Sequence, residues 1–248
     1  MEPSQFYTGL VADLYAPLKS MSNNPAPYAR FIAHSGQPAL ELGCGDGEPL
    51  LDLVAQGLDV EGVDSSPDML EGCRLNATKR GVQVTLHHQS MESLSLPRRY
   101  RSIFLAGATF NLLADDQCAG TALIRVREHL AESGSAMVPL FIPTATPTTH
   151  LGVPREAHDT AGRLIRVTAV SEKRDDVARQ QTTVLRYERF DNQQVSVAER
   201  PWVLHWHTQI GFRELALSAG LSTVAVLDAE GAPATESATT FAFILTVR

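Results

Sequence analysis

Two stretches decide the fold of this 248-residue chain: Ala39-Leu40-Glu41-Leu42-Gly43-Cys44-Gly45-Asp46-Gly47, and Val60-Glu61-Gly62-Val63-Asp64 after it. Each begins as a short apolar run of the length of a buried strand. The first ends in glycines at alternate positions, which let the backbone turn sharply and come close to a ligand. Leu50 to Gln56 then follows at helical period, and a helix start presents unpaired N–H groups. The second ends in a carboxylate about 20 residues past the first glycines, the spacing that suits a ribose diol, one oxygen for each hydroxyl. Ser66-Pro67 then reads as N-cap and first-turn proline of the next helix. One glycine alone reads equally as a tight turn, and Asp64 alone as a helix cap; the whole array points to a nucleoside-bearing ligand.

The alternation continues outward. Val82 to His87 and Ser102 to Ala106 read as strands, Gln117 to Leu130 as a helix and Ser135 to Phe141 as a fifth strand, so a parallel sheet covered on both faces is expected. Past Pro143 the pattern changes to long alternating runs, Arg163 to Glu172, Arg179 to Phe190 and Gln194 to His205, separated by turn signals. Gly211 to Ala219 reads as a helix closed by Gly220, and Leu221 to Leu227 and Thr240 to Val247 as closing strands. Ahead of everything, Phe6 to Tyr15 and Pro27 to His34 carry apolar residues at helical spacing around a turn-rich Ser20 to Pro25. The expected fold is α/β: a doubly wound, Rossmann-like, mostly parallel sheet with cap helices over 1–36, a core over 37–143 and 208–248, and an inserted antiparallel sheet over 144–207 that covers the substrate. An insertion of that length is more often functional than incidental.

Composition bounds the function. The chain is 44% hydrophobic and 20% charged, with net charge −7, an ordinary globular balance that disfavours broad nucleic-acid binding. Cys44, Cys73 and Cys118 show no C-x-x-C spacing, which speaks against a disulfide framework or zinc ribbon. His87-His88 lacks ligand-spaced acidic or thiol partners, so no metal is expected. The start lacks a leader pattern and no run is long and apolar enough to span a bilayer; a cytoplasmic protein without a membrane partner is the expectation. The inserted sheet offers an exposed edge for a homodimer.

The dinucleotide fingerprint is the main competitor for the glycine turn, but Gly47 arrives one position early, a spacing that favours S-adenosylmethionine over NAD. Here the sequence resembles the class I S-adenosylmethionine-dependent methyltransferases of small-molecule type. Glu41 to Gly47 resembles their first motif, Val63-Asp64-Ser65-Ser66-Pro67-Asp68-Met69-Leu70 their second, and His88-Gln89-Ser90-Met91-Glu92 the loop after their third strand. The resemblance implies that Gly43, Cys44, Gly45 and Gly47 pass beside the methionine moiety and that Glu41 supports the loop. It implies that Asp64 holds the ribose, that Ser65 and Met69 line the adenine, and that Gln89, Ser90 and Met91 close over the base. Ser90 stands where the family usually has Asp. Leu105-Ala106-Gly107 falls where the family runs its chain beneath the methyl group, and no Asn-Pro-Pro-Tyr quartet follows, which argues against methylation of DNA bases. Tyr7 and Tyr15 resemble the family's lid tyrosines.

For the acceptor side, Trp202, His205, Trp206 and His207 form the second cluster. Strand alternation puts His205 and His207 on one face, and imidazole is the natural base near neutral pH, with Tyr15 to orient the acceptor; two satisfied structural histidines are the competing reading. The expected activity is methyl transfer from S-adenosylmethionine to an amine or hydroxyl of a small molecule such as a secondary metabolite or amino sugar, leaving S-adenosylhomocysteine. The rivals are a nicotinamide-dependent oxidoreductase and a non-catalytic S-adenosylmethionine-binding module.

Overall fold

The computed structural model describes residues 6–19, 24–107, 109–192 and 194–248; most of the turn read at Ser20 to Pro25, the first five residues and Ala108 lie outside the described residues. A seven-stranded sheet forms from β1 (Ala39–Leu42), β2 (Val60–Asp64), β3 (Thr85–His88), β4 (Tyr100–Phe104), β5 (Leu130–Phe141), β10 (Leu221–Leu227) and β11 (Thr240–Val247). Their spatial order is β10-β11-β5-β4-β1-β2-β3. The first five run parallel, while β11 is antiparallel to both β5 and β10. The strand order reverses between β1 and β4, and a ligand crevice forms at such a switch point, outside the carboxyl ends of the strands.

Helices α2 (Ala26–Ser35), α3 (Leu50–Ala55) and α4 (Pro67–Arg80) supply one apolar cluster, with Ile32, Leu50, Leu53, Leu70 and Cys73 meeting Ala39 and Phe104 of the sheet. Helices α5 (Asp116–His129) and α6 (Gln209–Ser218) supply the other, with Leu123, Val126 and Phe212 against Leu40, Ile103 and Phe243. The caps agree with the sequence: Ser66 Oγ accepts the Met69 N–H and Asp115 that of Cys118.

The second sheet has four antiparallel strands, β6 (Pro154–His158), β7 (Leu164–Asp175), β8 (Gln180–Asp191) and β9 (Gln194–His205), in sequential order. Strand β6 is not in the sequence reading, which left His158 in a connection. It begins at a proline and is largely exposed, the composition of an edge strand that carries little alternation to detect. Among the described elements the first complete helix, α1, covers Leu10–Leu18, and the helix read from Phe6 to Tyr15 is interrupted ahead of it, where Gly9 takes φ 56°. Its Val11, Leu14 and Leu18 are at most 2% exposed and pack on Ile165, Val167 and Tyr187 of the second sheet, a burial that stabilises the lid by roughly 1.5–3 kcal/mol per side chain.

Candidate active site

At the switch point the turn after β1 and the end of β2 are tied together. Gly43 and Cys44 both donate to the carbonyl of Val63, at 2.7 and 3.0 Å. Asp64 accepts from the backbone N–H of Gly45 through Oδ2 and from that of Ser66 through Oδ1, each at 2.8 Å. Burial pushes the Asp64 pKa up, against the pull of those amides. Gly43 has φ 75°, and a Cβ there would stand 2.4 Å from the Thr109 methyl, so this backbone position admits glycine alone.

A cavity of about 280 Å³ opens above this turn, lined by Gly43, Gly45, Asp64, Ser65, Met69 and the Gln89 to Glu92 segment, with Tyr7 and Tyr15 as its roof. The residues present fit an adenosyl group. Asp64 accepts from the amides of Gly45, Ser66 and Ser65, and the lone-pair capacity of a carboxylate beyond these is left for a ribose hydroxyl, while Met69, Met91, Val63 and Leu113 give apolar walls for a base. Ser90 lines the cavity with its hydroxyl paired to Ser93 at 2.8 Å. The Gln89 side chain is engaged with the backbone of Ser95 on both of its ends, so it braces its loop.

Other expected cofactor residues stand elsewhere. Glu41, Cys44, Gly47 and Leu105 are not among the residues lining this cavity. Glu41 is 0% exposed with neither carboxyl oxygen hydrogen-bonded; burial holds its pKa well above the carboxylate range, with Cys73, Asp64 and Asp46 adding to the effect. Cys44 faces Gly62 and Cys73. At Gly47 a Cβ would meet Cys73 Sγ and the Leu51 side chain at 2.8 Å, so that glycine lets α3 and α4 pack closely. Thr109, two residues past the Leu105-Ala106-Gly107 stretch, and Leu112, which the sequence reading passed over, line both this cavity and its neighbour.

That neighbour measures about 590 Å³ and lies between the carboxyl ends of β4 and β5, α1 and the inner face of the second sheet. Ala106 and Gly107 line it, rather than the first cavity. Tyr7 and Tyr15 border both cavities, their rings 5.6 Å apart and perpendicular, so they stand where a group would pass from one to the other. Burial raises both phenols, Tyr7 to about 12, and the nearby Asp64 charge adds to this. The lid that carries them is latched to the start of α4: Ser66 Oγ donates to the Tyr7 carbonyl and the Gly9 N–H to Asp68 Oδ2, both at 2.6 Å.

The structure does bring His205 and His207 together, with ring centroids 4.7 Å apart, but neither is among the residues lining the two cavities. They are 3% and 1% exposed, and the His207 ring packs on Phe110 and Phe212. His205 Nε2 and His207 Nδ1 lie 3.4 and 3.6 Å from Asp116 Oδ1 at the start of α5. Burial lowers both pKa values, that of His207 to about 4. Both rings thus stand away from the two cavities, beside Asp116, although Trp202 and Leu204 of the same strand line the larger one. Asp116, His205 and His207 offer ligand-type atoms within 4.8 Å of one another, and the Arg179 guanidinium occupies the same space, paired to Asp116. Asn111 is fully buried and clasps this region, donating to the carbonyls of Phe141 and His205 at 3.0 Å.

Comparison with known proteins agrees with this geometry. Residues 39–134 match the family model of a methyltransferase domain. Over 150 residues the chain is 30% identical to the dTDP-3-amino-3,6-dideoxy-alpha-D-glucopyranose N,N-dimethyltransferase of Streptomyces fradiae, a match spanning 57% of each chain. Among solved structures it is similar to an S-adenosylmethionine-dependent methyltransferase from Clostridium acetobutylicum, with TM-score 0.72 and 13% identity over 90% of this chain and 92% of that one. It is similar also to the S-adenosylmethionine-bound amino pentose methyltransferase from Micromonospora echinaspora, with TM-score 0.67 and 21% identity over 90% and 89%. At these identities the likeness to solved structures is one of fold. Residues 39–134 thus match a methyltransferase domain, in a chain that has the fold of the S-adenosylmethionine-dependent methyltransferases.

Proposed function

We propose that the chain transfers a methyl group from S-adenosylmethionine to an amine of a small molecule, an amino sugar before other amines. The observation that carries the choice of nitrogen is the chemistry of the larger cavity. Among its described lining residues are two cations, Arg155 and Lys19, the latter paired to Glu48, and no carboxylate or imidazole. Tyr7 and Tyr15 are protonated phenols at neutral pH, and burial moves both further from serving as a base. A hydroxyl acceptor needs a base to expose its oxygen lone pair; an amine needs only to arrive unprotonated, and cationic neighbours with apolar walls favour that form. The Streptomyces fradiae relative, an amino-sugar N,N-dimethyltransferase by name, supports the same choice.

S-adenosylmethionine would supply an electrophilic methyl on a sulfonium, displaced in line. The chain's part is positioning. Asp64 and the glycine turn fix the adenosyl end; Tyr7, held through its carbonyl by Ser66, and Tyr15 frame the passage between the cavities. Helix α1 seals that passage from water, which would otherwise solvate the attacking nitrogen.

The test is incubation with S-adenosylmethionine and matched amines and alcohols, amino sugars included, with methylated product read by mass spectrometry. Methylation of amines alone is expected. Methylation of alcohols alone overturns the choice of nitrogen, and tight NAD binding without S-adenosylmethionine binding overturns the cofactor.

A further inference from the structure

Strand β7 carries a bulge that changes which side chains stand on the inner face of the second sheet, behind the residues that line the acceptor cavity. Against β8 its register runs Ile165↔Arg189, Val167↔Tyr187, Ala169↔Leu185, then slips by one to Ser171↔Val184, Glu172↔Thr183 and Arg174↔Gln181. Before the bulge the inward positions are the apolar Ile165, Val167 and Ala169; after it they are Glu172 and Arg174, while Ser171 and Lys173 turn to solvent. Without the extra residue at Val170 the strict alternation of a strand would put these two charges outside. Bulges that re-aim a side chain beside a binding site are functional features.

Glu172 collects the protons of the cavity's polar patch. Its Oε1 accepts the Thr146 N–H at 2.8 Å, and its Oε2 accepts from Thr146 Oγ1 at 2.5 Å, Gln181 Nε2 at 2.9 Å and Thr183 Oγ1 at 3.1 Å. Arg174 donates to Gln181 Oε1 at 3.1 Å. Arginine has no acceptor, so this contact fixes which end of the Gln181 amide is oxygen. Gln181 and Thr183 are 4% and 5% exposed, and with Thr146 they line the larger cavity.

Proton accounting then sets the cavity's polarity. A threonine hydroxyl has one proton, and both are given to Glu172, so Thr146 and Thr183 turn lone pairs to the cavity. Gln181 keeps one N–H of its two for a ligand. Two acceptor oxygens beside one donor match a hydroxyl, which gives one proton and takes another.

From this we propose that Glu172, acting through Thr146, Gln181 and Thr183, is a specificity-determining positioning residue that makes the cavity select an amine acceptor bearing a hydroxyl group at this patch. The inference rests on the amine reading above and names the residues that would favour a hydroxylated amine, such as a sugar ring, over an alkyl or aryl amine.

The test pairs each amino sugar, free and linked to a nucleoside diphosphate, with a deoxy analogue lacking ring hydroxyls. Affinity is measured calorimetrically on protein loaded with S-adenosylhomocysteine. The wild type is expected to prefer hydroxylated members by about tenfold or more, the cost of leaving a site's buried polar groups unpaired. Glu172→Gln brings an amide N–H against the same donors and forces a threonine proton into the cavity, so the preference collapses while cofactor affinity holds. Thr183→Val, which removes one lone-pair donor without touching Glu172, should reduce the same ratio and decides the matter if Glu172→Gln does not fold. Equal affinities in the wild type, or a preference that survives in the folded variants, overturns the proposal. Binding of neither member of any pair overturns the amine reading and takes this inference with it.

Discussion

Gly45 donates its backbone N–H to Oδ2 of Asp64 at 2.8 Å, so the turn after the first strand and the acid closing the second are one hydrogen-bonded unit. Asp64→Asn keeps the size of the side chain but turns an amide N–H toward the N–H of Gly45 or of Ser66, and it removes one lone-pair oxygen facing the ribose. Loss of two charge-assisted bonds at about 1.5 kcal/mol or more each predicts at least a tenfold rise in the Kd for S-adenosylhomocysteine by calorimetry. An unchanged Kd would remove Asp64 from the cofactor site.

This unit was legible because every part of it is local. Gly43, Gly45 and Asp64 sit at strand ends whose apolar runs are unambiguous, and turn chemistry acts at short range. What the sequence hid was depth and long-range register. His205 and His207 lie side by side, yet nothing in their own segment says that the two rings turn to Asp116, and His207 to Phe110 and Phe212, while Trp202 and Leu204 line the cavity. Gly47 belongs to the motif by spacing and to helix packing by contact, a distinction set by Cys73 and Leu51. The bulge at Val170 is invisible in a run that alternates on both sides of it, so alternation gives no sign that Glu172 stands on the inner face. Strand β6 carries too few apolar residues to show a period.

Glu41 predicts a pH-dependent stability cost. Its folded pKa stands well above the unfolded value because burial disfavours the charge. Below the unfolded value of about 4.3 both states are protonated and nothing is lost; as pH rises from there toward the folded value, the unfolded chain releases a proton that the native chain keeps, and stability falls. Glu41→Gln lacks this slope. The cofactor-free variant should match the wild type in Tm near pH 4 and exceed it increasingly toward neutrality. A gap that stays constant across that range would show that the carboxyl carries no such burden.

The lid latch can be separated from the cap beneath it. Ser66 Oγ serves both, accepting from Met69 and donating to Tyr7, whereas Asp68 Oδ2 receives the Gly9 N–H. Asp68→Ala therefore loosens residues 7–18 while the Ser66 cap stays in place. Backbone hydrogen exchange across Leu10–Leu18 should rise by about tenfold, with the acceptor KM rising and the S-adenosylhomocysteine Kd nearly constant. A variant with unaltered lid exchange would mean that packing on Ile165, Val167 and Tyr187 holds α1 unaided.

The histidine pair gives a stability prediction and a catalytic one that point in opposite directions. His207 is held near pKa 4, first by burial and then by His205, below the unfolded value of about 6.5. Between those values the unfolded chain takes up a proton that the native chain refuses, so stability falls with acidification through this window, by roughly 3 kcal/mol in full at 1.36 kcal/mol per pH unit. In His207→Gln that acid limb should flatten, even though the variant is less stable than the wild type at neutral pH for want of the ring packing on Phe110 and Phe212. Because neither ring borders the acceptor cavity, kcat of His205→Gln and of His207→Gln at neutral pH should stay within about threefold of the wild type, far short of the 10²-fold or greater loss that removing a general base brings. A loss of that larger size in a variant with native Tm would return the pair to the chemistry and require a rearrangement that carries a ring past Asn111.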